Sequence, residues 1–145
     1  MQSTAHAKAS QTQPFLTDDN VIYTDQAPFP LGTYSQAIRV GDTVYLSAQT
    51  PVEPSSNEVL AKDFEGQLRQ TLDNLKAMTE ASGGSLANVV KVTAFITDLS
   101  EFPTLNRVME AYFSKPYPAR TTAGASALAR GTLVAIDAIM ALPPR

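Results

Sequence analysis

The stretch Leu133 to Met140 is apolar on both of the faces a strand presents, with Asp137 its one charged residue. Side chains alternate across a strand, so a strand of this kind must be covered on both sides. The rest of the chain supplies two helices, and two helices cover one face of a sheet. No further element remains for the other face. Self-association is the economical cover, and a lone subunit with that face wet is expected to aggregate.

The remaining elements follow from periodicity and punctuation. Val21 to Thr24 reads as a short edge strand, and Pro28 and Pro30 make Asp25 to Leu31 a loop. Gly32 to Val40 and Thr43 to Gln49 read as two strands joined at Gly41-Asp42, a hairpin signal. Phe64, Leu68, Leu72, Leu75 and Met78 form a stripe at helical spacing, with Asp63 as N-cap and Gly83-Gly84 as the stop. Asn88 to Thr97 is the next strand. Ser100 suits an N-cap for a second helix with the stripe Phe102, Leu105, Met109, Tyr112 and Phe113, closed by Pro116 and Pro118. Arg120 to Leu128 and Thr132 to Met140 complete the order, joined at Arg130-Gly131. Two strand-helix-strand crossovers imply parallel pairing, with both helices on one face of a mixed sheet.

The chain of 145 residues fits one folded unit over 21–145, preceded by a flexible arm over 1–20 whose docking residues are Phe15 and Leu16. A net charge of −3 with no basic run argues against nucleic acid or an anionic membrane as partner. There is no cysteine, which removes disulfides, thiolate catalysis and cysteine-type zinc sites and fits a cytoplasmic protein. His6 is the only histidine and lies in the arm, so a Ser-His-Asp triad or a histidine-rich metal centre is not expected.

Arg120 is the cation that most needs explaining. It sits in Pro118-Ala119-Arg120-Thr121, followed by a run of small residues. A guanidinium stays protonated in a protein, so beside a dry wall it needs an anion. No carboxylate is near it in sequence. A ligand carboxylate, an acid brought in by the fold and open solvent are the three ways to satisfy it.

Five motifs then recur in order: Gly32-Thr33-Tyr34-Ser35-Gln36, Leu46-Ser47-Ala48-Gln49-Thr50-Pro51, Gln70-Thr71-Leu72-Asp73-Asn74-Leu75, Val92 to Leu99, and Pro118-Ala119-Arg120-Thr121. Together they resemble the RidA family, also called YjgF-type proteins, over roughly Asp25 to Leu142. The resemblance implies an α+β, chorismate-mutase-like fold, a mixed sheet backed by two helices. It implies a homotrimer whose sheets close a central barrel, with small-molecule clefts between subunits. The implied reaction is hydrolysis of an enamine or imine acid, of the aminoacrylate or aminomuconate kind, to a keto acid and ammonia. No metal or organic cofactor is implied.

The resemblance also assigns roles. Arg120 matches the arginine that grips the substrate carboxylate, and Tyr34 a tyrosine lining the cleft. Ser47 matches a small polar residue of the cleft floor, and Asn106 an asparagine facing it from the second helix. Read without the resemblance, Tyr34, Ser47 and Asn106 are an amphipathic strand tyrosine, a strand serine bonded to backbone and a polar helix face. Two positions depart from the family. A cysteine is usual where Thr122 stands, and a glutamate thought to hold the attacking water is usual where Ala135 stands. Asp137 shares a strand face with Ala135 at ~6.6 Å and is expected to pair with Lys91 or Arg120. The change at Ala135 leaves two alternatives to an enzyme: a trimer that binds small carboxylates such as 2-keto acids without turnover, or a protein-interaction module.

Overall fold

The computed structural model describes residues 15–144. Its six strands are β1 (Val21–Ile22), β2 (Ala37–Val40), β3 (Thr43–Gln49), β4 (Val89–Ile96), β5 (Ala119–Gly124) and β6 (Val134–Ala141). Its helices are α1 (Phe64–Ala81) and α2 (Phe102–Tyr112). The sheet runs β1-β2-β3-β6-β4-β5. Every pair is antiparallel except β4 with β5.

That order corrects one expectation. The crossover through α2 joins the parallel pair β4 and β5, but the crossover through α1 does not join neighbours. The last strand, β6, lies between β3 and β4 and is antiparallel to both. A strand apolar on both faces is best placed in the middle of the sheet, where it also has two partners for its backbone.

The helix stripe is as the sequence predicts. Leu68, Leu72, Leu75 and Met78 are fully buried, and Phe64 nearly so. The Asp63 side chain accepts from the Gly66 N–H, and the chain leaves the helix through Gly83 at φ 94°, a conformation costly for any residue with a Cβ. Helix α2 starts differently from expectation. Asp98, not Ser100, is the capping acceptor, taking both the N–H and the hydroxyl of Ser100 in a short turn that runs into the helix.

Other boundaries contract. The expected strand over 32–40 is regular only from Ala37, because the Gln36 side chain turns back into the preceding loop. Its Nε2 donates to the Thr24 and Pro28 carbonyls, and its Oε1 accepts from the Thr24 N–H. The strands expected over 120–128 and 132–140 end at Gly124 and begin at Val134, with a tight turn at Ala129–Gly131 between them. Phe15 and Leu16 are exposed and not docked. The chain is tied instead at Asn20, whose Nδ2 donates to the Arg39 carbonyl. His6 and most of the proposed arm lie outside the described residues.

The core sits between the sheet and the helices. Val134, Ile136, Ala138 and Met140 of β6 belong to it, alongside Val44, Leu46, Val92, Ala94 and Ile96. Alternation places Ala135, Asp137 and Ile139 on the opposite face, next to Phe95, Thr93 and Lys91 of β4 and Tyr45 of β3. Among the described residues no helix lies over that face, and Tyr45 there is 50% exposed. Among the described residues no helix is long and apolar enough to cross a membrane.

Candidate active site

Helix α2 is fixed on α1 by polar ties as well as by its apolar stripe. The Glu65 carboxylate receives Arg107 from α2 and Arg69 from its own helix, and those two cations hold it below the usual carboxylate range. The Tyr112 hydroxyl donates to Asp73 at 2.8 Å. Desolvation, reinforced by that hydrogen bond to Asp73, pushes its pKa up to about 12. With α2 so placed, its Asn106 side chain meets Arg120 on the edge strand β5.

Arg120 is half-buried, on the helix side of the sheet beside Val92. Its Nη2 donates to Asn106 Oδ1 at 2.6 Å, and its Nη1 points at Met109 Sδ at 3.5 Å. Its guanidinium carbon lies 5.2 Å from the centre of the Phe102 ring, a cation–π contact. Burial lowers its pKa, yet no carboxylate of the described residues pairs with it. Five N–H donors with two engaged leave three for a ligand. The group faces a cavity of about 420 Å³ shared with Asn106, Met109, Phe113, Tyr117 and Glu110. Thr122, two residues along β5, shares the face of Arg120 and lies opposite buried Ala94.

Tyr34 and Ser47 are elsewhere. They line a second cavity of about 250 Å³ with Phe29 and Arg130. Tyr34 is 55% exposed, and its ring lies so close over Gly32 that a Cβ there would sit 3.1 Å from Cε1. Ser47 donates its hydroxyl to the Ser35 carbonyl at 2.6 Å, so the backbone-bonded reading of this serine holds for that proton. Strands β3 and β5 are separated by β6 and β4, about 14 Å at three strand spacings. One chain therefore brings Arg120, Asn106 and Thr122 together, but not Tyr34 and Ser47 with them. Ala135 is buried on the other face of the sheet, opposite Phe95.

Asp137 does not make the expected ion pair. Lys91 Nζ donates instead to Thr121 Oγ1, and Arg120 is on the far side of the sheet from Asp137. The sequence marks Phe102 only as a stripe residue and Arg130 only as a turn, and does not single out Glu110. Spacing carried a signal for Glu110, since it stands one helical turn beyond Asn106.

The family described as endoribonuclease L-PSP matches residues 24–142. The chain belongs to the RidA/YjgF/RutC family. It is similar to RidA from the Antarctic bacterium Psychrobacter sp. PAMC 21119, with 47% identity and a TM-score of 0.82 over 84% of this chain and 98% of that one. It is 39% identical to the 2-iminobutanoate/2-iminopropanoate deaminase of Dermatophagoides farinae over 88% of this chain and 99% of the other. TdcF of E. coli, solved with bound serine, matches with 36% identity and a TM-score of 0.80, covering 85% and 98% of the two chains.

Proposed function

We propose that this member of the RidA/YjgF/RutC family hydrolyses 2-imino and 2-enamino acids to the 2-keto acid and ammonia, in clefts completed by a second subunit of a homotrimer. The half-buried guanidinium of Arg120, unpaired with any carboxylate of the described residues and held by Asn106 and Phe102 against a cavity, carries this reading. Its three unclaimed N–H groups suit a bidentate grip on one carboxylate. That grip leaves the adjacent imine carbon over the cavity, open to water. An iminium is already a strong electrophile, so binding and orientation supply much of what its hydrolysis needs.

The assembly reading rests on two observations. Among the described residues no helix lies over the face of β6 bearing Asp137 and Ile139, and Tyr45 beside Ile139 is 50% exposed. Tyr34 and Ser47 line a separate cavity, with Ser47 on a strand about 14 Å across the sheet from β5, so a neighbouring copy must supply them if they share the Arg120 ligand. The family's description names an RNA-cleaving activity. The Arg120 cavity offers one guanidinium and one amide, a set suited to a single carboxylate rather than a chain of phosphates.

A binder without turnover is the second reading, favoured by the methyl group of Ala135 where the family resemblance implies a glutamate. The two separate in one experiment. A dehydratase that generates 2-aminoacrylate from serine is run with and without the protein, and keto acid release is followed. The hydrolase reading expects acceleration over buffer that is lost in Arg120→Ala. Release at the buffer rate, with 2-keto acid still bound, establishes the binder.

A further inference from the structure

Hydrolysis of an imine moves protons as well as binding a carboxylate. A proton must leave the attacking water, and another must reach the departing nitrogen. Arg120 can do neither, because its guanidinium holds its protons. Asn106 is an amide and Met109 a thioether. Ala135 and Asp137 are on the opposite face of the sheet from Arg120. One carboxylate lines the Arg120 cavity, and it is Glu110.

Several other acids of the chain have partners, whereas Glu101, at the start of the same helix as Glu110, has none among the described residues but does not line the cavity. Glu65 is taken by Arg69 and Arg107, Asp73 by Tyr112, Asp98 by Ser100, and Glu53 by Ser55 and Ser56. Glu110 makes no ion pair and no side-chain hydrogen bond among the described residues, not even with Arg120 across the cavity. It is exposed, on the same face of α2 as Asn106 and one turn further along. Asn106 Oδ1 touches the guanidinium, and Glu110 lines the same cavity, so a carboxylate clamped by Arg120 shares that space with the Glu110 side chain.

From this juxtaposition we propose that Glu110 is the acid–base group of the cleft, an inference that rests on the hydrolase reading above. The Glu110 carboxylate takes a proton from water as the water oxygen bonds to the iminium carbon, and the C=N π pair moves onto nitrogen to give a carbinolamine. Glu110 then returns that proton to the amine nitrogen. The C–N bond breaks with its electron pair leaving on ammonia, while the carbinol O–H proton passes to the carboxylate and the C=O bond forms. Ammonia takes that last proton, so iminium and water become keto acid and ammonium, and Glu110 ends as it began.

The test compares Glu110→Gln, Glu110→Ala and Arg120→Ala with the unaltered protein on 2-aminoacrylate, after subtraction of the buffer rate. Glu110 is exposed, so both variants should melt with the parent. The expected result is a fall in kcat of about 10²-fold in both Glu110 variants. Affinity for a 2-keto acid should be unchanged, and added formate should restore part of the rate in Glu110→Ala only. Glu110 variants at the parental rate, with Arg120→Ala inactive, would overturn this inference and leave the hydrolase reading standing. Full activity in Arg120→Ala, or a parent no faster than buffer, would overturn both. A loss in Glu110→Ala that formate does not relieve, accompanied by weakened keto acid binding, makes the residue a structural one and also overturns the proposal.

Discussion

Arg120 Nη2 and Asn106 Oδ1 stand 2.6 Å apart, linking the edge strand β5 to helix α2 across the mouth of the larger cavity. The amide orients the guanidinium without neutralising it, so the cation keeps its charge for a ligand. Asn106→Asp would change that by placing a carboxylate on the same hydrogen bond. A charge-assisted bond of about 1.5–3 kcal/mol would then have to be broken before a ligand carboxylate could replace it. The expected outcome in titration calorimetry is a loss of 2-keto acid affinity of at least about tenfold, with a melting temperature no lower than the parent's.

The uncovered sheet face makes its own prediction. Ile139 on β6 is half-buried and Tyr45 on β3 exposed, side by side on the face away from the helices. A buried like-charge ring at such a junction is costly, because each unpaired carboxylate must be desolvated. Sedimentation should show the parent at three times the chain mass. Ile139→Glu should sediment as a single chain or precipitate, with far-ultraviolet dichroism of the soluble fraction unchanged.

Acid stability depends in part on a small loop beside β3. The Glu53 carboxylate accepts the Ser55 N–H at 3.0 Å, then the Ser55 hydroxyl and Ser56, and these bonds lower its pKa from 4.5 to about 2. A depressed carboxylate stabilises the fold above its unfolded pKa, and the contribution disappears as pH falls through the folded value. Full stabilisation is therefore expected above about pH 4.5, with loss between there and pH 2. Urea midpoints at pH 6 and pH 3 should fall more for the parent than for Glu53→Gln.

The parts of this fold that were legible in the sequence are those decided locally. The α1 stripe, its Asp63 cap and its Gly83 exit are all within one segment, and so is the β2–β3 turn at Gly41-Asp42. The position of β6 was not legible, because its apolar run suits any central slot and its partners are far away in the chain. Gln36 delays the start of β2 through a side chain that bonds backbone 8 and 12 residues earlier, for which alternation has no signal. Within the candidate site, Arg120 stood out as a cation among small residues. Phe102 and Met109 were read as ordinary stripe residues because a helix stripe looks the same whether it faces the core or a guanidinium. Glu110 was overlooked for the converse reason, since an acid on a polar helix face usually means nothing more than contact with water.

Asn74 couples the core to the second cavity. Its side chain is 1% exposed in the middle of α1, where its Nδ2 donates to the Thr50 carbonyl at 2.9 Å and the Val52 carbonyl at 2.8 Å. Its Oδ1 accepts from Gln70 Nε2, so every polar atom of the amide is in use. The two carbonyls belong to the segment after β3, and Thr50 and Val52 both line the cavity that holds Tyr34 and Ser47. Asn74→Ala would leave two acceptors unpaired, each costing about 1–3 kcal/mol when water cannot reach it. Asn74→Asp would keep the shape but place acceptor against acceptor. Both variants should lower the urea midpoint by the equivalent of about 2–4 kcal/mol, with Asn74→Asp recovering part of its stability at low pH, where a protonated carboxyl can donate. If the 50–52 segment also shapes the ligand cleft, the folded Asn74→Ala protein should bind 2-keto acid more weakly than the parent while Arg120 and Asn106 are untouched.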